Sequence, residues 1–162
     1  MKIEANNPPI ETNKLDLKRY VPALVTYLAN KLSSGASVCY RRHFDIGVTE
    51  WRLIALLKVD TNITANHISE VIGLDKAAVS RALKFLKERR LVSFVKNAKD
   101  GRSTLIALTS SGEDIHDQII KVALKREELL LKNFSEQELD TLINLLNKMN
   151  NNVTLVNEYE PS

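Results

Sequence analysis

The sequence predicts a mostly α-helical chain whose centre holds two short helices and one β-hairpin, with a long amphipathic helical region on either side. Three observations carry this. Only 5 glycines and 4 prolines punctuate 162 residues, and Pro8 and Pro9 lie together in a polar leader, so there is room for long helices. Apolar residues recur at spacings of three and four over residues 15–42 and 113–153, the period of a helix with one buried face. Near residue 91 the texture changes to two runs of β-formers around a polar turn, which reads as a hairpin.

Residues 1–13 are expected to be a disordered leader, and residues 14–155 a single domain with a tail at 156–162. The first helix carries Leu17, Val21, Leu24, Leu28, Leu32, Ala36 and Cys39 on one stripe and is expected to run from about residue 15 to residue 42. Pro22 kinks its first turns or marks its true start. Residues 45–48 form a loop, after which Thr49 and Glu50 suit a helix N-terminus and TEWRLIALLKV continues as a helix. Thr64 is the next N-cap, and TANHISEVIG turns Ala65, Ile68, Val71 and Ile72 inward before stopping at Gly73, a residue suited to the left-handed end of a helix. Asp75 caps KAAVSRALKFLKERR, whose buried stripe is Val79, Ala82, Leu83 and Leu86. Two short helices joined by a tight glycine turn make a helix-turn-helix.

LVSFV and STLIALT then form the strands of the hairpin, with KNAKDGR at its basic tip. Thr109, Ser110 and Ser111 offer caps for a helix from about residue 112 to residue 133, and SEQE at residues 135–138 is a capping-box signature. It starts a final helix through Leu139, Leu142, Ile143, Leu146, Met149 and Val153. The fold class is therefore mostly α: a winged helix-turn-helix lobe at 45–110 with a small β-hairpin wing, and long N- and C-terminal dimerisation helices at 14–44 and 111–155. Isolated lobes would leave the two long stripes short of partner surface, and interleaving two copies buries them.

Hydrophobic residues make up 44% and charged residues 27% of the chain, the balance of a folded globular protein. The net charge of +3 is too small to identify a nucleic-acid binder by itself, but the basic excess is concentrated within residues 76–102. One cysteine excludes an internal disulfide framework and a cysteine zinc cluster, and the three histidines lack metal-ligand spacing, so no cofactor is expected. With neither an apolar signal core nor a run of about 20 apolar residues, a cytoplasmic protein without a membrane partner is expected. Without a phosphate-binding glycine loop, a nucleophile arrangement or paired carboxylates, an enzyme is not.

Removing the buried stripe from the second helix of the motif leaves Lys76, Ala77, Ser80, Arg81 and Lys84 outside. Ala77 permits close approach to a thymine methyl, Arg81 can fork onto guanine, and Ser80 can bond a base or a phosphate. Lys84, Lys87, Arg89 and Arg90 suit phosphates. At the hairpin tip, Lys96, Lys99 and Arg102 suit a minor groove, and Asp100 is spaced to hold the Arg102 guanidinium. Cys39 is read as a packing cysteine. Tyr27, Tyr40, Arg41 and Trp51 would line an effector pocket beside the first helix, although core packing is the reading adopted for the aromatics.

The stretch from Phe44 to Ile115 resembles the MarR family of winged helix-turn-helix regulators. TEWRLIALL at 49–57, HISEVIGLDKAAVSRALKFLKERRLV at 67–92 and DGRSTLIALTSSGEDI at 100–115 carry the likeness. The Asp-x-Arg of the wing, Asp100 and Arg102, and the run from Ile106 through Gly112 are its most specific parts. The resemblance implies a homodimeric regulator bound to double-stranded DNA at a pseudo-palindromic operator, repressing and released by a small-molecule effector or oxidant. It places Ser80, Arg81 and Lys84 on the groove-reading helix, Asp100 and Arg102 on the wing, and Thr64, Ala65 and Asn66 at a phosphate. An activator, or an architectural or adaptor protein of the same fold, is the alternative.

Overall fold

Proline fixes where the first helix begins. The computed structural model describes residues 15–98 and 101–161, and its helix α1 spans Val21–Phe44 with Pro22 in the first turn. There the missing N–H is no loss and the fixed φ already suits a helix. Of the two expectations for Pro22, that it marks the true start holds and the kink in a helix from residue 15 does not: the Lys18 N–H donates to Asp16 Oδ1 in a turn ahead of the helix. At the other end Asp45 adopts a left-handed conformation, φ 55° and ψ 34°, and its N–H donates to the Arg41 carbonyl.

Helix α2 spans Val48–Val59 and places Leu53, Ile54 and Leu57 in the core. Helix α3, Ala65–Ile72, is capped by the Thr64 hydroxyl, which accepts from the His67 N–H at 3.2 Å. Gly73 ends it at φ 70°, where a β-carbon would be strained. Helix α4, Lys76–Glu88, is capped by Asp75, whose Oδ1 accepts from the Ala78 N–H at 2.8 Å. Its buried residues are Val79, Ala82, Leu83 and Leu86, the expected stripe. On α3 the expectation is corrected: only Ile68 is fully buried, while Ala65 and Val71 are exposed. Over eight residues the inward face is narrow, and Ile68 and Ile72, four apart, fill it.

Strands β1, Val92–Lys96, and β2, Thr104–Leu108, pair antiparallel with Val92 opposite Leu108 and Lys96 opposite Thr104. On its other edge β2 bonds Ile63: the Ile63 N–H donates to the Ile106 carbonyl at 3.2 Å, and the Ile106 N–H returns a bond at 2.9 Å. The hairpin is thereby stitched to the residue just ahead of the α3 cap. Helix α5 spans Ser110–Leu130, and the Thr109 hydroxyl caps it by accepting from the Gly112 N–H at 3.1 Å.

The described residues fall into two compact units, one ending at His116 and one beginning at Asp117. The core of the first is built from Ile46, the α2 and α4 stripes, Ile68, Leu91, Val92 and Ile106. Lys58 and Glu113 approach within 3.5 Å across its surface, joining the end of α2 to the first turn of α5. The second holds α6, Glu136–Asn151, and α7, Val153–Asn157. Its capping box is complete: the Ser135 hydroxyl accepts from the Glu138 N–H at 3.2 Å, and the Ser135 N–H donates to the Glu138 carboxylate at 2.8 Å. The single final helix expected through Val153 is instead interrupted at Asn152. Among the described residues no helix is long and apolar enough to cross a membrane, and no group of three or more His, Cys, Asp or Glu is placed to hold a metal.

Candidate nucleic-acid interface

The exposed face of α4 and the root of the hairpin border one open groove of about 590 Å³. Thr64, Ala65 and Asn66 of the α3 N-terminus line one part of it, and Lys76, Ser80 and Lys84 of α4 another. Leu83, Phe94 and Ile106 supply an apolar floor, and Ser103 and Thr104 bring polar groups from the hairpin. The Ile63–Ile106 bridge explains the juxtaposition, because it fixes the α3 N-terminus against β2.

Seven of the residues singled out from the sequence, Lys87 of α4 among them, thus meet around one groove. Ala77 and Arg81 are exposed on the neighbouring row of α4 and do not line it. Arg102 is exposed near the hairpin tip, beside Gly101 at φ 56°. Lys99 and Asp100 lie outside the described residues, so the expected Asp100–Arg102 contact does as well. The tip is closed by the Asn97 N–H donating to the Ser103 carbonyl at 2.9 Å and by the Asn97 side-chain amide donating to the Ser103 hydroxyl at 3.0 Å.

Sequence reasoning missed two features of this surface. The Lys87 ammonium stands 5.1 Å from the centre of the Phe94 ring, linking α4 to β1 by attraction to the ring face. Phe94 lines the groove with it; the only sequence signal was an aromatic residue within a strand beside a basic tip. Arg89, grouped with the phosphate-facing cations, instead donates to the Asp45 carbonyl at 2.6 Å and to its carboxylate at 2.9 Å.

The candidate effector liners divide. Tyr40 is buried with its ring edge toward Trp51, at 6.0 Å between centres, and Trp51 stacks on His116 at 5.5 Å. Tyr40 is thus core, and Trp51 and His116 are part-buried beside it. Tyr27 is half exposed, and Cys39 is a free cysteine of intermediate exposure.

A helix-turn-helix with a hairpin stitched to it and a cationic outer face on its second helix is the winged fold of DNA-binding transcription regulators. The sequence profile of the MarR family matches residues 44–103. A MarR/EmrR family transcriptional regulator from Acinetobacter sp. ADP1 is 38% identical; its solved structure superposes with a TM-score of 0.82 over 87% of this chain and 99% of that one. The uncharacterized HTH-type transcriptional regulator YdgJ of Bacillus subtilis is 31% identical over 109 residues, 66% of this chain, which spans just under two thirds (66%) of that relative. A mutant MarR from E. coli complexed with operator DNA shares the fold at 24% identity, with a TM-score of 0.71 over 84% of this chain and 98% of its own. The chain belongs to the MarR family of transcriptional regulators, and as such it is a DNA-binding regulator and not an enzyme.

Proposed function

We propose that the protein is a sequence-specific, homodimeric repressor in the cytoplasm that binds a pseudo-palindromic operator and is released by a small ligand. The observation that carries this reading is the division of α4 into two faces. Its apolar stripe is wholly buried, whereas Lys76, Ala77, Ser80, Arg81 and Lys84 are all exposed. Small residues beside long cations suit a helix lying in a major groove: Ala77 permits approach, while Arg81 and Ser80 address base edges. Thr64, Ala65 and Asn66 present the α3 N-terminus to a phosphate, and Arg102 enters the neighbouring minor groove.

The E. coli MarR mutant is complexed with operator DNA, which supports operator binding by the same fold here. Dimerisation is supported by apolar side chains left open in a single chain, among them Leu24 and Leu28 of α1 and Ile143, Leu146 and Met149 of α6. A two-fold dimer sets two copies of α4 on half-sites about 34–36 Å apart.

Selection of bound sequences from random DNA tests the reading. We expect one inverted repeat with that spacing, bound at least ~10³-fold tighter than random DNA. No enrichment, or equal affinity for all sequences, would favour the architectural alternative. A reporter driven from the selected site separates repression from activation.

A further inference from the structure

The cationic end of α4 holds one arginine that is already engaged. Arg89 follows the last residue of α4, and its Nη1 donates both to the Asp45 carbonyl at 2.6 Å and to the Asp45 carboxylate at 2.9 Å. Its guanidinium also lies 5.5 Å from the centre of the Phe85 ring, one turn back on the same helix. Asp45 is the left-handed residue that terminates α1. One side chain therefore ties the C-terminal end of α4 to the end of α1, across 44 residues of sequence.

We propose that Arg89 is a positioning residue which fixes the tilt of α4, and that it is not a phosphate contact. This rests on the reading of α4 as the groove-reading helix. The N-terminal end of α4 is set by the Gly73 turn and the Asp75 cap, its length is held by the buried stripe, and Arg89 adds a hold at its other end. The helix is about 20 Å long at 1.5 Å per residue, and a tilt of about 10° about one end moves the other by about 3 Å. That displacement exceeds the tolerance of a hydrogen bond to a base edge. The charge argues the same way. Asp45 neutralises Arg89 at contact distance, so this pair, unlike a free lysine, adds little to counterion release. As an exposed pair it also contributes little to overall stability, which separates a positioning effect from unfolding.

The test compares the intact wild-type protein with Arg89→Ala and Asp45→Asn; Asn suits the positive φ, so that turn keeps its backbone. Amide exchange in the free protein is read at Arg90 and Leu91, whose N–H groups donate to the Lys87 and Leu86 carbonyls at the end of α4. Binding to the selected operator and to random DNA is read across a salt series. We expect exchange at those amides to quicken about two- to fivefold in Arg89→Ala, operator affinity to fall about two- to fivefold, and the salt slope to stay unchanged. Asp45→Asn removes only the carboxylate charge and leaves the residue-45 carbonyl that also accepts from Arg89 Nη1, so we expect exchange to quicken less than in Arg89→Ala. Unchanged exchange in Arg89→Ala, or a slope shallower by about 0.9 in that variant, would each overturn the proposal. If the wild type prefers no sequence, the groove-reading interpretation fails separately, and the exchange measurement alone decides whether Arg89 holds the helix.

Discussion

Arg89 and Arg90 are neighbours with the same side chain, yet the fold asks different things of them. Arg89 is held by Asp45, whereas Arg90 sits at φ 58° with its carbonyl accepting from the Thr109 hydroxyl at 2.7 Å. A non-glycine residue in that region is strained by its β-carbon. The Thr109 bond needs only the backbone of Arg90, so Arg90→Gly keeps it and removes the strain. We expect a gain of about 0.5–1 kcal/mol in a denaturant titration, with no gain from Arg90→Ala. Arg81, by contrast, is exposed on α4 with no role in the core. Arg81→Ala should cost about 1–3 kcal/mol on the selected operator and little on random DNA, read by equilibrium binding to both. Equal losses on the two DNAs would make Arg81 a phosphate contact.

At the scale of elements, junctions matter more than interiors. A β-carbon on Gly112 would collide with the Leu91 carbonyl oxygen, a backbone atom that cannot step aside. Gly112→Ala should therefore cost about 1–3 kcal/mol, seen as a lowered denaturation midpoint, although the position lies in the first turn of α5, where alanine is ordinarily favourable. The α6 capping box gives a pH signature. The Ser135 backbone N–H, and after it the Ser135 hydroxyl, hold the Glu138 carboxyl below its ordinary value. A depressed folded-state value means that the contribution is present above the unfolded glutamate range and is lost as pH falls through the folded value. Helix melts at neutral pH and near about pH 3 should show this loss, and Glu138→Gln should flatten it.

Those junctions also mark how far the sequence could be read. The α4 stripe, the Thr64, Asp75 and Ser135 caps and the Gly73 turn were legible because each depends on residues three or four apart. The Ile63–Ile106 bridge, the Arg89–Asp45 contact and the Lys87–Phe94 pair were not, since each joins segments whose proximity exists only after folding. Val71 was misplaced because the apolar period says which residues share a side, not how wide the buried side is. Of the candidate interface, the α4 face and the α3 N-terminus were readable, and their meeting in one groove with Phe94 as floor was not.

On the scale of the whole molecule, each unit leaves apolar surface uncovered in a single chain. In the first unit Val21, Leu24, Val25 and Leu28 are each 43–52% exposed, and in the second Ile143, Leu146 and Met149 are 38–49% exposed. Stripes of this kind favour association with a second copy. Introducing a charge by Leu146→Glu should halve the sedimenting mass in analytical ultracentrifugation. Operator affinity should fall with it, because each monomer would hold a single half-site. A folded variant that kept the wild-type mass would place the dimer contact elsewhere.

The bonds between Ile63 and Ile106 are made entirely by main-chain N–H and carbonyl groups. The scaffold that brings the wing to the α3 N-terminus is therefore indifferent to much of the side-chain chemistry around it. On the proposed reading of α4, a lineage carrying this fold can exchange Ser80 or Arg81 one at a time, acquiring new DNA preferences while the frame stays put. Divergence of targets is thus mutationally cheap on this frame, and substitutions at these positions should be the first to separate regulators that share it.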